Sequence, residues 1–173
     1  MEPILWGCLI PSIYSAYTDA TRRNLYDYVT IPIFLLGTAY SIYTGVWINH
    51  LLTALVVFVV FYFCALKGGF AGGDVKFCTA LAVWFGYPST LYFIGLASIT
   101  AAIYGSCKLS KMGLFKQRIV VYFRGVYMKI AYGIKGAIPE NKLPENDEIC
   151  EEAIPFGPFM VFAAWLVYLT PMI

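Results

Sequence analysis

The stretch Gly68-Gly69-Phe70-Ala71-Gly72-Gly73-Asp74-Val75-Lys76 joins two of the most apolar runs of this chain. It places four glycines, an acid and a base between residues 51–66 and the apolar run that follows. Charged side chains are costly within a bilayer and are retained there mainly for function. Asp74 is therefore the first candidate for a functional residue, at the surface of a membrane.

The composition is typical of a membrane protein. Of the 173 residues, 60% are hydrophobic and 13% are charged, whereas soluble domains carry roughly a quarter charged residues. The mean hydropathy is +0.71. A net charge of +2 is too small to indicate nucleic-acid binding. The five cysteines lie singly, without a C-x-x-C pair, which argues against a zinc ribbon and against a disulfide framework.

The apolar runs predict an all-α, polytopic membrane protein with about six transmembrane helices. These runs cover residues 3–18, 28–48, 51–66, 75–87, 89–107 and 153–172. The first run lacks a basic n-region and an A-x-A cleavage site, so we expect it to remain as helix one. We expect a single membrane-embedded domain over residues 1–173, with a loop over residues 108–152 between helices five and six.

The positive charges all lie on one side of this six-helix layout. Every Lys and Arg falls in or beside the loops 19–27, 67–74 and 108–152. By the positive-inside rule this side is cytoplasmic, which predicts a multi-pass protein of the cell (cytoplasmic) membrane. The layout places His50 in an outer loop, where a surface role is favoured over a catalytic one.

The long loop has two features of its own. Apolar residues between Phe115 and Ile134 recur at helical spacing among basic residues, which predicts a basic amphipathic cytoplasmic helix on an anionic leaflet. A role in holding substrate is the alternative. Residues 139–152 are acidic and are interpreted as a solvated linker, with attraction of a basic peptide as the alternative.

The layout also brings Asp19, Asp27 and Asp74 to the cytoplasmic face. Two carboxyl groups a few Å apart cannot both ionise easily, so one can act as a base on water while the other donates a proton. The glycines before Asp74 are expected to let the backbone turn sharply and a substrate strand approach. The alternative is that each acid caps a helix or pairs with a nearby base, and this is the favoured interpretation for Asp27.

A second class of function uses the same acids. Asp19 and Asp74 could be proton or cation sites of a small membrane transport protein. Transporters usually place such sites near the bilayer midplane, whereas these acids are predicted at one face. The two halves of the sequence also show no inverted repeat.

Three segments together resemble the type IV prepilin peptidases, which are membrane aspartic proteases with a G-x-G-D motif. They are residues 19–32, Gly72-Gly73-Asp74-Val75-Lys76, and Ile154-Pro155-Phe156-Gly157-Pro158-Phe159. The resemblance implies that Asp19 and Asp74 are the catalytic pair. It implies as substrates the prepilins and pilin-like precursors, cleaved on the cytoplasmic side after a short basic leader, without a metal or other cofactor. The residues that it implies as supporting the site are Gly72, Gly73, Lys76, Arg22 and Asp27.

The chain departs from the family pattern at two positions. Tyr26 stands where the family usually has Pro, which affects the path into the second helix. Ala71 stands where the family usually has Gly, which affects the tightness of the turn before Asp74. The chain resembles the short, peptidase-only form of tight-adherence pilus systems and archaeal preflagellin peptidases. It has no paired Cys-x-x-Cys motifs, and methyl transfer is not predicted.

Overall fold

Helices account for the regular structure of the described chain. The computed structural model describes residues 2–67, 70–113, 120, 124 and 154–170, and none of these residues forms a strand. Helix α1 comprises Glu2–Ile4, a π-helical turn at Leu5–Leu9 and Ile10–Arg22. The helices that follow it in the described residues are α2 (Asp27–Tyr43), α3 (Trp47–Leu66), α4 (Gly72–Phe85), α5 (Ser89–Lys111) and α6 (Gly157–Leu169). The all-α prediction is confirmed for these residues.

Two of these helices have the length and composition needed to cross a membrane. They are α3, with 20 residues, and α5, with 23 residues. Helices α4 and α6 have 14 and 13 residues, so each extends roughly 20 Å, which is less than the ~30 Å hydrocarbon core. Six transmembrane helices therefore remain a prediction.

Helix α4 is the most buried helix of the unit formed by residues 1–101 and 155–173. Most of its side chains from Asp74 to Trp84 are buried, and it packs mainly against α2 and α3. Helix α1 packs against α6. The outward faces of α2 and α3 are apolar, with Leu35 and Leu52 among their exposed side chains. Such a continuous apolar surface is typical of contact with lipid.

Trp84 fixes the C-terminal end of α4 in this unit. Its indole N–H donates to the Ile33 carbonyl at 2.8 Å, and its ring stacks on Tyr40 at a centroid distance of 5.5 Å. A Cβ atom at Gly7 would lie 2.5 Å from the indole, and one at Gly37 would lie 2.7 Å from it. These two glycines therefore let α1 and α2 close around the tryptophan.

The prediction that His50 lies in an outer loop is wrong. Helix α3 begins at Trp47, so His50 lies in its first turn. The His50 Nδ1 atom donates to the Val83 carbonyl at 2.7 Å, near the end of α4, and the neighbouring Asn49 side chain donates to the Tyr87 carbonyl at 3.0 Å. The polar break in the sequence is thus a helix start whose side chains satisfy carbonyl groups at and beyond the end of α4.

Residues 102–154 form the second unit, of which the structure describes 102–113, 120, 124 and 154. Within it, a Cβ atom at Gly105 would lie 2.6 Å from the Ile154 side chain. The amphipathic helix predicted between Phe115 and Ile134 lies outside the described residues, apart from positions 120 and 124. The acidic segment 139–152 also lies outside them.

Candidate active site

Asp19 lies in the last turn of α1, just beyond the apolar run 3–18. The helix ends at Arg22, and its C-cap Arg23 has a left-handed backbone with φ of 54° and donates its N–H to the Asp19 carbonyl. The Asp19 side chain is buried. Its Oδ2 atom accepts the backbone N–H of Gly157 at 2.8 Å. Because Gly157 is the first residue of α6, this N–H has no partner within its own helix, and the helix dipole also favours a negative charge there.

Gly157 has to be small to accept this contact. A Cβ atom at this position would lie 2.8 Å from Asp19 Oδ2 and 3.1 Å from Asp19 Cβ. Residues 154–159 carry part of the family resemblance. Sequence reasoning assigned no role to Gly157, because glycine has no side-chain functional group. The available signal was Pro158 at the start of an apolar run, because proline at the first helical positions marks a helix N-terminus with free backbone donors.

Asp74 is the third residue of α4 and is 9% exposed. Its Oδ2 atom accepts the backbone N–H of Ala71 at 3.3 Å, and its own N–H donates to the Ala71 carbonyl at 3.1 Å. An acid that reaches back to the N-cap N–H forms one half of a capping box. The other half needs a side-chain acceptor at the N-cap, which the Ala71 methyl group does not offer. Asp74 therefore caps its helix and is also buried.

The backbone before Asp74 does not require glycine at position 71. Ala71 has φ of −76° and ψ of 153°, an extended conformation open to any residue. Positive φ occurs among the described glycines at Gly45, Gly86 and Gly113, so Gly72 and Gly73 do not make the expected sharp turn. Gly68 and Gly69, to which the same prediction applies, lie outside the described residues. A Cβ atom at Gly73 would lie 3.2 Å from Leu25 Cβ, whereas one at Gly72 would meet no atom of the described residues within 4 Å. Gly73 therefore allows close packing, and open space lies beside Gly72.

The two carboxyl groups interact electrostatically. Burial raises the pKa of Asp74, the charge of Asp19 raises it further, and the Ala71 N–H lowers it. Burial also raises the pKa of Asp19, while the Gly157 N–H and the charge of Arg23 lower it. The Gly157 hydrogen bond and Arg23 thus favour the ionised form of Asp19, and the charge of Asp19 in turn favours a proton on Asp74.

Asp27 forms an ion pair with a lysine. Lys76 Nζ donates to Asp27 Oδ1 at 3.0 Å and to Oδ2 at 2.8 Å. Both side chains are more than half exposed, at 56% for Lys76 and 54% for Asp27. This ion pair is the interpretation that the sequence favoured for Asp27.

Arg22 and Tyr26 form an exposed contact in the connection from α1 to α2. Arg22 Nη1 lies 3.5 Å from the Tyr26 hydroxyl. Tyr26 is the N-cap of α2 with φ of −81°, close to the roughly −65° that proline imposes. Its ring stacks on Tyr28 at a centroid distance of 5.1 Å. Tyrosine in place of the family's proline therefore leaves the chain a similar path into α2.

Ser15 is a buried residue near the site that sequence reasoning missed. It lies one helical turn before Asp19 and is 1% exposed. Its hydroxyl has no hydrogen-bond partner among the described residues. Also within the described residues, no group of three or more His, Cys, Asp or Glu side chains is placed to hold a metal ion.

The described residues form an all-helical fold in which two buried carboxyl groups at helix ends interact. The model of the type IV leader peptidase family matches residues 6–106, a range that includes both Asp19 and Asp74. The chain belongs to the type IV leader peptidase family, a membrane-associated family, and is therefore a peptidase. This confirms the family identified from the sequence. No curated protein and no solved structure matches the chain.

Proposed function

We propose that this protein is a membrane aspartic endopeptidase that removes the basic leader peptide from type IV pilin-like precursors. The observation that carries this proposal is the buried pair Asp19 and Asp74, contributed by α1 and α4 of a leader-peptidase chain. A buried carboxyl pair that shares a proton supplies a base and an acid within one site. Both roles are needed to hydrolyse a peptide bond with water.

The hydrogen bonds favour one assignment of roles. Asp19, held by the Gly157 N–H, is the ionised member and takes a proton from the attacking water. The water oxygen adds to the carbonyl carbon of the scissile bond. Asp74 holds the proton and donates it to the leaving nitrogen as the C–N bond breaks. The products are a leader with a new carboxylate and a mature protein with a new N-terminal amine.

Two structural features support the approach of a basic, extended peptide. Among the described residues, space is open beside Gly72 at the start of α4, next to the extended backbone of Ala71. The pair with one shared proton carries one negative charge, which attracts a basic leader.

The cytoplasmic position of this site rests on the distribution of charge. The end of α1 and the starts of α4 and α6 provide Asp19, Asp74 and Gly157. The first two of these helix ends lie near Arg22, Arg23 and Lys67, and the positive-inside rule assigns this side of the membrane to the cytoplasm.

The test is co-expression of the full chain with each pilin-like precursor encoded in the same genome. We expect one precursor to shift to a smaller size, with N-terminal sequencing showing a cut at the end of its basic leader. Asp19→Asn and Asp74→Asn should each abolish this shift at equal protein abundance. The matched control is Asp147→Asn, the same substitution in the acidic segment 139–152.

Two results would contradict the proposal. If both Asn variants process the precursor at the wild-type rate, Asp19 and Asp74 are not catalytic. If the correctly inserted wild type cleaves none of the precursors, pilin-like precursors are not its substrates.

A further inference from the structure

A groove lies on a different face of α4 from Asp74. It has a volume of about 450 Å³ and is bounded by α2, α3 and α4. Phe34, Leu55 and Phe58 form part of its apolar wall. Leu55 is 58% exposed and Phe58 is 41% exposed, so the groove opens on the outer surface of the helices. In a membrane-embedded protein this surface faces lipid.

The polar end of the groove is the ion pair of Asp27 and Lys76, both of which line it. Thr30 and Thr79 also line it, but their hydroxyl groups donate to backbone carbonyls one turn earlier, those of Tyr26 and Val75. The charged recognition groups are therefore one cation and one anion, which together have no net charge. Each is more than half exposed and can contact a further group.

We propose that this groove binds a zwitterionic phospholipid with a primary ammonium headgroup, of the phosphatidylethanolamine type. One acyl chain lies along the apolar wall. The phosphate accepts hydrogen bonds from Lys76, and the ammonium donates to Asp27. The four charges then alternate in sign, which is the arrangement in which each has opposite charges as its neighbours.

The choice of headgroup follows from the ion pair. An anionic lipid such as phosphatidylglycerol can bind Lys76, but its phosphate is repelled by the adjacent Asp27 carboxylate. Because an acyl chain is surrounded by apolar groups in the bilayer as well as in the groove, the headgroup contacts determine which lipid is preferred.

The size of the groove argues against a helix of a partner protein as its occupant. A helix with side chains is about 10–12 Å in diameter, so a space of this volume holds about one helical turn. An acyl chain is far thinner and can extend along the same volume.

The test uses the purified full chain in bilayer discs that contain equal amounts of phosphatidylethanolamine and phosphatidylglycerol. Native mass spectrometry of the released protein counts the lipids of each type that stay bound. We expect the wild type to retain phosphatidylethanolamine over phosphatidylglycerol by at least ~5-fold, for a preference of roughly 1 kcal/mol. Equal retention of both lipids by the wild type would overturn the proposal.

Charge variants make the test specific. Asp27→Asn leaves Lys76 as an uncompensated cation and should shift the preference to phosphatidylglycerol. Exchanging the two charges, with Asp27→Lys and Lys76→Asp in one chain, should keep the preference for phosphatidylethanolamine. The proposal is wrong if Asp27→Asn leaves the ratio of the two lipids unchanged, or if the exchanged pair prefers phosphatidylglycerol.

A groove variant tests the position of the acyl chain. Ala54 lines the groove and is 3% exposed, so Ala54→Leu should fill the space and reduce retention of phosphatidylethanolamine at least ~5-fold. Leu91→Phe alters an exposed apolar residue that does not line the groove and is the control for general lipid contact. Circular dichroism of each variant establishes that the helices are intact. Unchanged lipid retention by a folded Ala54→Leu variant would exclude the groove as the site.

Discussion

Asp74 and Lys76 are separated by one residue on α4 but lie in opposite environments. Asp74 is buried, and the charged group that raises its pKa is another carboxylate, Asp19. Lys76 is more than half exposed and binds the Asp27 carboxylate at 2.8 Å. One face of the helix thus brings two like charges together, whereas another face brings together opposite charges.

This difference separates a site that can do chemistry from one that can only bind. Exposed ion pairs contribute little to stability, about 0–1 kcal/mol, and no proton has to move within them. A buried like-charge pair destabilises the fold unless it retains a proton, and that proton is then available for transfer. Hydrolysis is therefore expected where Asp19 meets Asp74.

The largest effect should come from comparing two identical substitutions on the two faces. Asp74→Asn should reduce the rate of precursor cleavage by roughly 10³-fold or more, because a general acid contributes about 10²–10⁴-fold and the pair acts as a unit. Asp27→Asn should reduce it less than ~10-fold. The rates are measured by densitometry of precursor and product over time. If the two variants lose equal activity, the comparison fails and Asp27 belongs to the chemical site.

Gly157→Ala should have the next largest effect. The added Cβ would lie 2.8 Å from Asp19 Oδ2 and would displace the carboxylate that Gly157 now holds. A shift of about 1 Å in a reacting group can cost roughly 10²-fold, so we expect kcat to fall by about 10- to 100-fold. The control is Gly95→Ala, where an added Cβ meets no atom within 4 Å in the part of the chain that the structure describes. Wild-type kcat in Gly157→Ala would show that the contact with α6 does not position Asp19.

Much of this site could be predicted from sequence, because apolar runs and charges determine which helix ends share a face. That reasoning placed Asp19 and Asp74 together although about 55 residues separate them. It could not find Gly157, because the functional group there is a backbone N–H and side-chain chemistry says nothing about which backbone donors are free.

The outcomes at His50 and at the glycines have different physical causes. Hydropathy shows where an apolar run breaks, but a break can be a loop or the first turn of a helix, and His50 lies in the latter. Composition suggested that the glycines make a turn, whereas backbone angles show that Gly72 and Gly73 do not use positive φ. Neither glycine has a side chain next to Asp74. Which residues pack against these two positions depends on the folded chain and cannot be predicted from the sequence.

The buried pair should also make stability depend on pH. Burial raises the pKa of Asp74 in the folded state, so between its ordinary value and the raised value the folded protein keeps a proton that the unfolded protein has lost. The free energy of unfolding therefore falls as pH rises through this interval. Asp74→Asn should weaken this dependence, although Asp19, whose pKa burial also raises, retains a part of it. At pH values above the raised pKa of Asp74, the variant should be more stable than the wild type by roughly 1–3 kcal/mol.

Thermal unfolding in detergent between about pH 3 and pH 9 measures this effect. Below the ordinary pKa of an aspartate both proteins carry a neutral group at position 74, so their stabilities should converge there. A wild type that gains stability relative to Asp74→Asn as pH rises would contradict the assignment of a buried, proton-holding carboxyl group.

The smallest effect is expected from the exposed pair. Lys76→Gln removes the ammonium that contacts both oxygens of Asp27, but both side chains are more than half exposed, so water replaces most of the lost interaction. Unfolding free energy should fall by less than about 1 kcal/mol, and the loss should shrink as salt is added. A loss of several kcal/mol that is independent of salt would mean that Lys76 stabilises the fold as strongly as a buried group. The two faces of α4 would then differ in their capacity for proton transfer but not in their contribution to stability.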